Sequence, residues 1–187
     1  MSSNETKLKI IETAKNLLLS DNTQGLSIRK ICASSKISYG SFYHHMKSKE
    51  NLMLLIRKNV VEEGMAEFLK KTENKAPLEK IIILSNFYIN YIVSYGYKFC
   101  GYFIALAVEN PVFASPPGAL LFLPDLIKEA IESKDFNSKY EVDYINRALL
   151  SVLRGSVFEW CSNKGISDLK SDVSITFGLL IKSLKED

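Results

Sequence analysis

The spacing of apolar residues constrains the fold most, because they recur every three or four positions in segment after segment of the 187-residue chain. Segments such as 5–20 and 141–163 place these residues on a helical face, and the alternation typical of strands is almost absent. Short polar or proline-containing runs separate the segments, with turns expected at 21–25 and around Pro116. The pattern predicts an all-α fold of about nine helices.

The charged residues divide the chain near residue 50. Residues 1–50 carry eight Lys or Arg against four Asp or Glu, whereas residues 51–187 carry sixteen against seventeen. A positive end is expected where one domain meets a polyanion such as DNA, although a solvated helical face with spare lysines gives the same asymmetry. We predict a small domain at 1–50, a helix from about 49 that connects the two parts, and a larger helical domain at 51–187.

The remaining composition indicates a cytoplasmic protein without a cofactor. Cys32, Cys100 and Cys161 lie far apart with no C-x-x-C spacing, so neither a disulfide framework nor a zinc site is indicated. The start of the chain lacks the apolar stretch of a signal peptide, and the most apolar runs are shorter than the roughly 20 residues of a membrane span. His44 and His45 are adjacent on a predicted helix and face different directions, so we expect no metal there.

Three short helices in the first 45 or so residues, the second and third separated by three or four residues, form a helix-turn-helix pattern. Serines stand where the helices should begin, at Ser27, Ser38 and Ser48. Ile31, Ile37, Phe42 and Met46 are spaced so that they turn inward onto Ile11, Ala14 and Leu18 of the first helix. The pattern therefore predicts a small core with one face of the third helix directed outward.

The outward face of the third helix carries small or hydrogen-bonding groups near its N-terminus, which suits entry into a DNA major groove. Lys49 stands in the first turn of the next helix, where a positive charge opposes the helix dipole and a phosphate would give it a role. A helical hairpin that merely packs is the alternative. The residues we expect to contact DNA are Ser27, Arg29, Ser38, Tyr39, Gly40, Ser41, Tyr43, His44, Lys47 and Lys49.

The run "LSIRKICASSKISYGSFYHHMKSKENL" resembles the DNA-binding signature of the tetracycline-repressor (TetR) family of bacterial regulators. The resemblance covers about residues 8–53, with the serine, glycine, tyrosine and S-K-E triplet of residues 37–50 at the family's spacing. Lys36 stands where the family usually has glycine, so we expect a left-handed backbone there, at a cost of roughly 1 kcal/mol. Met46 replaces the usual phenylalanine, which is a volume-tolerant exchange. The resemblance implies a helical effector-binding domain behind the DNA-binding domain, and a homodimer.

Seventeen of the twenty aromatic residues lie in residues 51–187. An aromatic face is often core, but several tyrosines on one face favour a partly polar pocket because a buried phenol needs a partner. We expect an apolar or aromatic small-molecule effector. A redox role for Cys100 or Cys161 stays open. The candidate effector-binding residues are Tyr88, Tyr91, Tyr95, Phe103, Phe122 and Trp160.

The last two helical segments are apolar on more than one side, which favours a two-fold dimer that buries them in a four-helix bundle. Two DNA-binding domains would then reach two half-sites of a palindromic operator. The chain shows no Ser/His/acid set, no phosphate-binding glycine loop and no metal-ligand spacing, so an enzyme is not expected. We predict a ligand-responsive DNA-binding regulator, most simply a repressor; the alternative is a DNA-binding architectural or adaptor protein without a small-molecule ligand. The candidate interface residues are Leu150, Leu153, Val157, Phe177 and Leu180.

Overall fold

The computed structural model describes residues 2–20, 26–113 and 118–185, and within these ranges it is entirely helical, without strands. Gly96, with φ 79° and ψ 158°, divides the fifth helix into two arms. Nine α-helical segments therefore occur in the described ranges, which confirms the predicted all-α fold of about nine helices. The turns expected at 21–25 and around Pro116 lie outside these ranges. The helices are α1 Ser3–Leu19, α2 Ile28–Ser35, α3 Tyr39–Met46, α4 Lys49–Thr72, α5 Pro77–Glu109, α6 Leu123–Glu132, α7 Val142–Ser162 and α8 Leu169–Leu184, with 3-10 helices at Pro111–Phe113 and Gly118–Phe122.

Serine side chains begin each of the first four helices, with Ser2 capping α1 through the Glu5 N–H at 3.2 Å. The hydroxyl oxygens of Ser27, Ser38 and Ser48 accept hydrogen bonds from backbone N–H groups three residues later, at 3.2, 3.1 and 3.1 Å. Each bond satisfies a donor that the first helical turn leaves unpaired, and such a cap stabilises a helix by about 1 kcal/mol. The three predicted N-caps are confirmed, and they set the boundaries of α2, α3 and α4.

Lys36 forms the turn between α2 and α3 in the left-handed conformation, with φ 54° and ψ 49°. The N–H of Ile37 returns to the carbonyl of Cys32 at 3.1 Å, which closes the turn around Lys36. The left-handed backbone expected at this position is therefore confirmed. The turn fixes the angle between α2 and α3.

Two apolar cores run through the chain. The first core holds the predicted inward residues of α1, α2 and α3, and it continues into α4 through Leu52 and Ile56 and into α5 through Phe99. The second core lies between α5, α6, α7 and α8. The first core therefore joins the N-terminal helices to the larger part of the chain, and the domain boundary at residue 50 stays a prediction.

Helix α5 occupies the centre of the fold, where it contacts α1, α4, α6, α7 and α8. Among the described residues it is the one helix long and apolar enough, by length and composition, to cross a membrane. The sequence expectation that every apolar run is too short for a span was therefore wrong for α5. Its contacts with five other helices and its interruption at Gly96 give it the position of a central helix in this fold.

Candidate DNA-binding surface and effector site

Helix α3 presents two different faces. Phe42 and Met46 are fully buried in the first core, whereas Tyr39 and Tyr43 on the other side are half-exposed. The Phe42 and Tyr43 rings meet edge to face with centroids 5.5 Å apart, so the buried ring orients the exposed one. This arrangement follows from the i, i+3, i+4 spacing of the sequence.

All ten residues predicted to contact DNA are accessible to solvent. Eight are exposed, and Ser41 and Lys49 are partly exposed. They lie at the start of α2, along and just after α3, and at the start of α4, close to the serine caps of these three helices. The DNA contacts of these residues stay a prediction.

Gly40 lies in the first turn of α3 without an internal reason to be glycine. A Cβ added there would meet only the Ser38 hydroxyl, at 3.9 Å. Because glycine lowers helix stability by up to about 1 kcal/mol relative to alanine, its presence here favours close approach by something outside the chain. A DNA groove is such a surface.

Two lysines connect the N-terminal helices with α5. The Lys15 Nζ lies 5.5 Å from the centroid of the Tyr95 ring, and the Lys49 Nζ lies 5.9 Å from that of Tyr102. Both are within the range of a cation–π interaction. Sequence analysis assigned Lys49 to phosphate alone and missed this contact, which no local pattern signals because the residues are far apart in the chain.

Four aromatic rings form a ladder along α5, across the break at Gly96. Their centroids are 4.7 Å apart between Tyr91 and Tyr95, 4.8 Å between Tyr95 and Phe99, and 5.1 Å between Phe99 and Phe103. The ladder packs against the first core. Three of the predicted effector-binding residues, Tyr91, Tyr95 and Phe103, therefore lie where α5 meets the N-terminal helices.

The other three predicted effector-binding residues lie elsewhere. Trp160 is buried in the second core, and Tyr88 packs against the same core. Phe122 is 41% exposed on a 3-10 helix. The six residues therefore do not form one group, and their role in effector binding stays a prediction.

A polar cluster that sequence analysis missed lies beside α5. Burial raises the pKa of the Tyr88 phenol to about 12, and its electrostatic neighbours include Arg57, Arg154, Cys100 and Cys161. Burial also lowers the pKa of the Arg57 guanidinium, and the nearby positive charge of Arg154 adds to this. A tyrosine that stays neutral is therefore within electrostatic reach of two guanidiniums, of which Arg57 is half-buried and Arg154 is exposed.

The two cysteines of this region are structural in character. Burial raises the pKa of the Cys161 thiol to about 11 and that of the Cys100 thiol further. The Cys100 thiol donates to the Ile92 carbonyl at 3.5 Å, across the break at Gly96. Since the thiolate is the reactive form, these environments disfavour the redox role left open for them. No three His, Cys, Asp or Glu side chains in the described ranges are placed to hold a metal ion.

Comparison with known proteins identifies similarities of the sequence and of the fold. Residues 10–56 match the family model described as bacterial regulatory proteins, tetR family. The N-terminal region of the chain is therefore similar to the DNA-binding region of this family. The match spans the second half of α1, all of α2 and α3, and the start of α4, and it confirms the resemblance seen over residues 8–53.

Solved structures extend the similarity to nearly the whole chain. The fatty acid degradation regulator FadR from Bacillus halodurans has a TM-score of 0.75 at 17% identity and covers 97% of both chains. FadR from Bacillus subtilis, in complex with stearoyl-CoA, has a TM-score of 0.74 at 16% identity over 95% of this chain and 98% of its own. NalD, the secondary repressor of the MexAB-OprM multidrug efflux pump in Pseudomonas aeruginosa, has a TM-score of 0.70 at 16% identity over 100% of both. At these identities the likeness establishes the fold, and no curated protein sequence matches the chain.

In this fold, the residues predicted for the interface are turned toward the chain's own interior. Leu150, Leu153, Val157 and Phe177 are buried in the second core, and Leu180 packs against it. Large apolar side chains on the same two helices point outward instead. They are Tyr144, Phe158, Ile175 and Leu179.

Proposed function

We propose that this protein is a ligand-responsive transcriptional regulator of the TetR family, a cytoplasmic repressor that leaves a palindromic operator when a small molecule binds beside α5. One observation carries the ligand part of the proposal. Helix α5 is surrounded by five helices, yet between residues 86 and 98 only Ile89 is fully buried. Protein interiors are close-packed, so a central helix with accessible side chains indicates interior space that a ligand can fill.

The exposed face of α3 supports binding to a DNA major groove. Tyr39 at the start of α3 is placed to reach base edges, whereas Tyr43 and Lys49 lie further along, where they suit phosphate contacts. Base contacts set sequence preference, and phosphate contacts set overall affinity and its dependence on salt. The three side chains therefore differ in what their removal should change.

Alanine variants separate these roles in a DNA-binding titration at several salt concentrations. Tyr43→Ala and Lys49→Ala should weaken binding to every duplex, and Lys49→Ala should also flatten the salt dependence by about one unit of slope. Tyr39→Ala should instead change which sequences are preferred. Lys139→Ala removes a lysine that lies over the Tyr140 ring in the larger part of the chain, and it is the matched control. An unchanged salt slope for Lys49→Ala would refute its phosphate contact.

The outward side chains of α7 and α8 support a homodimer through these helices. We define the dimer face as Tyr144, Phe158, Ile175 and Leu179, which are 59, 58, 61 and 65% exposed. Tyr144 and Phe158 are fourteen residues apart and thus share one side of α7, and Ile175 and Leu179 share one side of α8. Exposed apolar residues concentrated on paired helices are typical of an interface.

Two glycines lie on the same two helices. A Cβ added to Gly155 of α7 or to Gly178 of α8 would meet nothing within 4 Å in the chain. Neither glycine is therefore required by internal packing, although each weakens its helix relative to alanine. Close approach of a second copy's helices accounts for both.

The proposed mechanism is a shift between two populations. A ligand beside α5 favours a conformer in which the two α3 helices no longer match half-sites about one helical turn, roughly 34 Å, apart. Operator affinity then falls by the coupling free energy, typically about 1–3 kcal/mol. Lys15 and Lys49, which contact α5 rings, lie where such a change can be transmitted to the DNA-binding surface.

Selection from random duplexes, followed by release assays, tests the proposal. A repressor of this kind should enrich a palindrome, and small molecules that co-purify with the protein should release it from that DNA. An architectural protein, the second candidate, would enrich no palindrome and would gain no thermal stability from any extracted molecule. That result would contradict the proposed function.

A further inference from the structure

One side chain of the candidate DNA-binding surface contacts the larger part of the chain. The Lys49 Nζ, in the first turn of α4, lies over the Tyr102 ring of α5, 5.9 Å from the ring centroid. Both side chains are partly exposed, so the ammonium stays within reach of solvent and of a DNA phosphate. The contact therefore joins a residue proposed to bind phosphate to the helix beside which the ligand is proposed to bind.

The ring offsets the unfavourable position of the Lys49 charge. An ammonium in the first turn of a helix is repelled by the positive end of the helix dipole. The face of an aromatic ring carries negative partial charge and attracts a cation within about 6 Å. An ammonium has three N–H donors, so a ring on one side leaves other donors that can reach a phosphate. The two contacts of Lys49 are therefore compatible.

Holding the ammonium in place before DNA binds favours the phosphate contact. A lysine side chain is a flexible four-carbon stem, and fixing it at an interface costs rotamer entropy. A ring that already restricts the stem in the free protein removes part of that cost. The cation–π contact and the phosphate contact then support each other.

The position of the Tyr102 ring is set by the arm of α5 that follows Gly96. Phe103 meets this ring edge to face, with centroids 5.8 Å apart and planes at 90°. The Phe103 centroid lies 5.1 Å from that of Phe99 and 6.5 Å from that of Phe113. The Tyr102 ring thus belongs to an aromatic cluster beyond the break in α5.

We infer that Tyr102 is a positioning residue for DNA binding: its ring holds the Lys49 ammonium in place for a phosphate, and the arm of α5 after Gly96 thereby sets the strength of that contact. The inference rests on the proposed phosphate contact of Lys49 and names the side chain of the larger part of the chain that acts on it. A ligand that moves this arm withdraws the ring and weakens the phosphate contact.

Four full-length proteins test the inference: wild type, Tyr102→Leu, Lys49→Ala and the double variant, each titrated with a fluorescein-labelled duplex of arbitrary sequence. Tyr102→Leu keeps an apolar side chain and removes the ring, so it should weaken binding about two- to fivefold for each DNA-binding region engaged. It should have no further effect once residue 49 is alanine, because the two side chains act as a pair. Since Tyr102→Leu keeps the lysine charge, the salt slope should change by less than the roughly one unit that Lys49→Ala removes.

Further variants separate the ring from the other properties of Tyr102. Tyr102→Phe loses the hydroxyl and keeps the ring, so it should bind DNA as the wild type does. Tyr140→Leu is the matched control and should change nothing, because the Lys139 Nζ lies 5.0 Å from the Tyr140 centroid outside the candidate DNA-binding surface. Circular dichroism shows whether each variant is folded, and Tyr102→Met, with a flexible side chain that fills irregular space, replaces an unfolded Tyr102→Leu.

Wild-type or tighter DNA binding by a folded Tyr102→Leu would overturn the inference. So would an equal loss in the Lys49→Ala background, or an equal loss in Tyr102→Phe, which would assign the effect to the hydroxyl. The proposed phosphate contact survives each of these results if Lys49→Ala alone weakens binding and flattens the salt dependence. Wild-type binding by Lys49→Ala would overturn the phosphate contact and the inference together, so the two failures are distinguishable.

Discussion

Replacement of Ile175 by glutamate should convert the proposed dimer into monomers. Ile175 is 61% exposed in the single chain, and full burial of such a side chain contributes about 1.5–3 kcal/mol. Because about three fifths of the side chain is still exposed, about three fifths of this free energy, roughly 1–2 kcal/mol, can still be gained by burial at an interface. Because a two-fold axis places the residue in the interface twice, the dimer loses about 2–4 kcal/mol from the apolar contact alone.

The carboxylates add to this loss. Two glutamates brought toward one another in an apolar interface must be desolvated or protonated, and either is unfavourable. A total of at least about 4 kcal/mol corresponds to a dissociation constant raised about a thousandfold. Such a change moves a tight dimer to monomers at the micromolar concentrations of a biophysical experiment.

Sedimentation equilibrium measures the dissociation constant, and circular dichroism shows that the variant is folded. Leu8→Glu introduces the same charge at a half-exposed apolar residue on α1, which is not part of the dimer face, so the dimer should persist. A folded Ile175→Glu protein with the wild-type dissociation constant would refute the dimer face. Loss of the dimer in both variants would show that added charge, rather than position, is responsible.

Gly155→Leu should leave the chain folded, because nothing lies within 4 Å of an added Cβ, and gel filtration should show monomers. A dimer that persists would show that Gly155 is not needed for close approach of a second copy. In urea unfolding, Lys36→Gly should be more stable than Lys36→Ala by about 1 kcal/mol, because both variants lose the charge and only glycine adopts φ 54° without strain. Equal stability of the two variants would contradict backbone strain at this position. Phe42→Ala should destabilise the DNA-binding helices by about 3–5 kcal/mol, measured by hydrogen exchange in α2 and α3, and a loss below about 1 kcal/mol would be inconsistent with full burial. Folding raises the pKa of Tyr88 from 10.0 to about 12, so the protonated phenol contributes fully to stability below pH 10, and this contribution is lost between pH 10 and 12. In an ultraviolet titration of the tyrosines, the step at the highest pH should therefore be absent from Tyr88→Phe.

The DNA-binding region was largely predictable from sequence because its determinants are local. Ser38 caps α3 through a residue three positions away, and the choice between buried Phe42 and exposed Tyr43 follows from a single helical turn. The left-handed backbone at Lys36 was predicted from the resemblance, because the TetR-family signature usually has glycine at that position. Helical spacing and turn chemistry act over a few residues, so one sequence suffices to read them.

The effector and dimer residues were not predictable in the same way. Apolar residues cover most of α7, so periodicity does not decide that Leu153 faces the core while Phe158 faces outward. The Phe113 carbonyl, which accepts a hydrogen bond from Arg57, is 56 residues away in the chain, and sequence spacing carries no information at that separation. Which side of a two-sided helix is buried depends on the tertiary arrangement, and only the structure supplies it.

Helix α4 connects the candidate DNA-binding surface with the space beside α5. Lys49 in its first turn and Arg57 are eight residues apart, so about 12 Å of one helix separates them. A ligand beside α5 that displaced Arg57 would act on the element that positions Lys49 and α3. A change beside α5 would reach the same surface through the Lys15–Tyr95 contact. A ligand needs only a preference of about 1–3 kcal/mol for the displaced arrangement to weaken operator binding by about 5–150-fold, and a pair of charge-assisted hydrogen bonds formed in one arrangement alone is of that size.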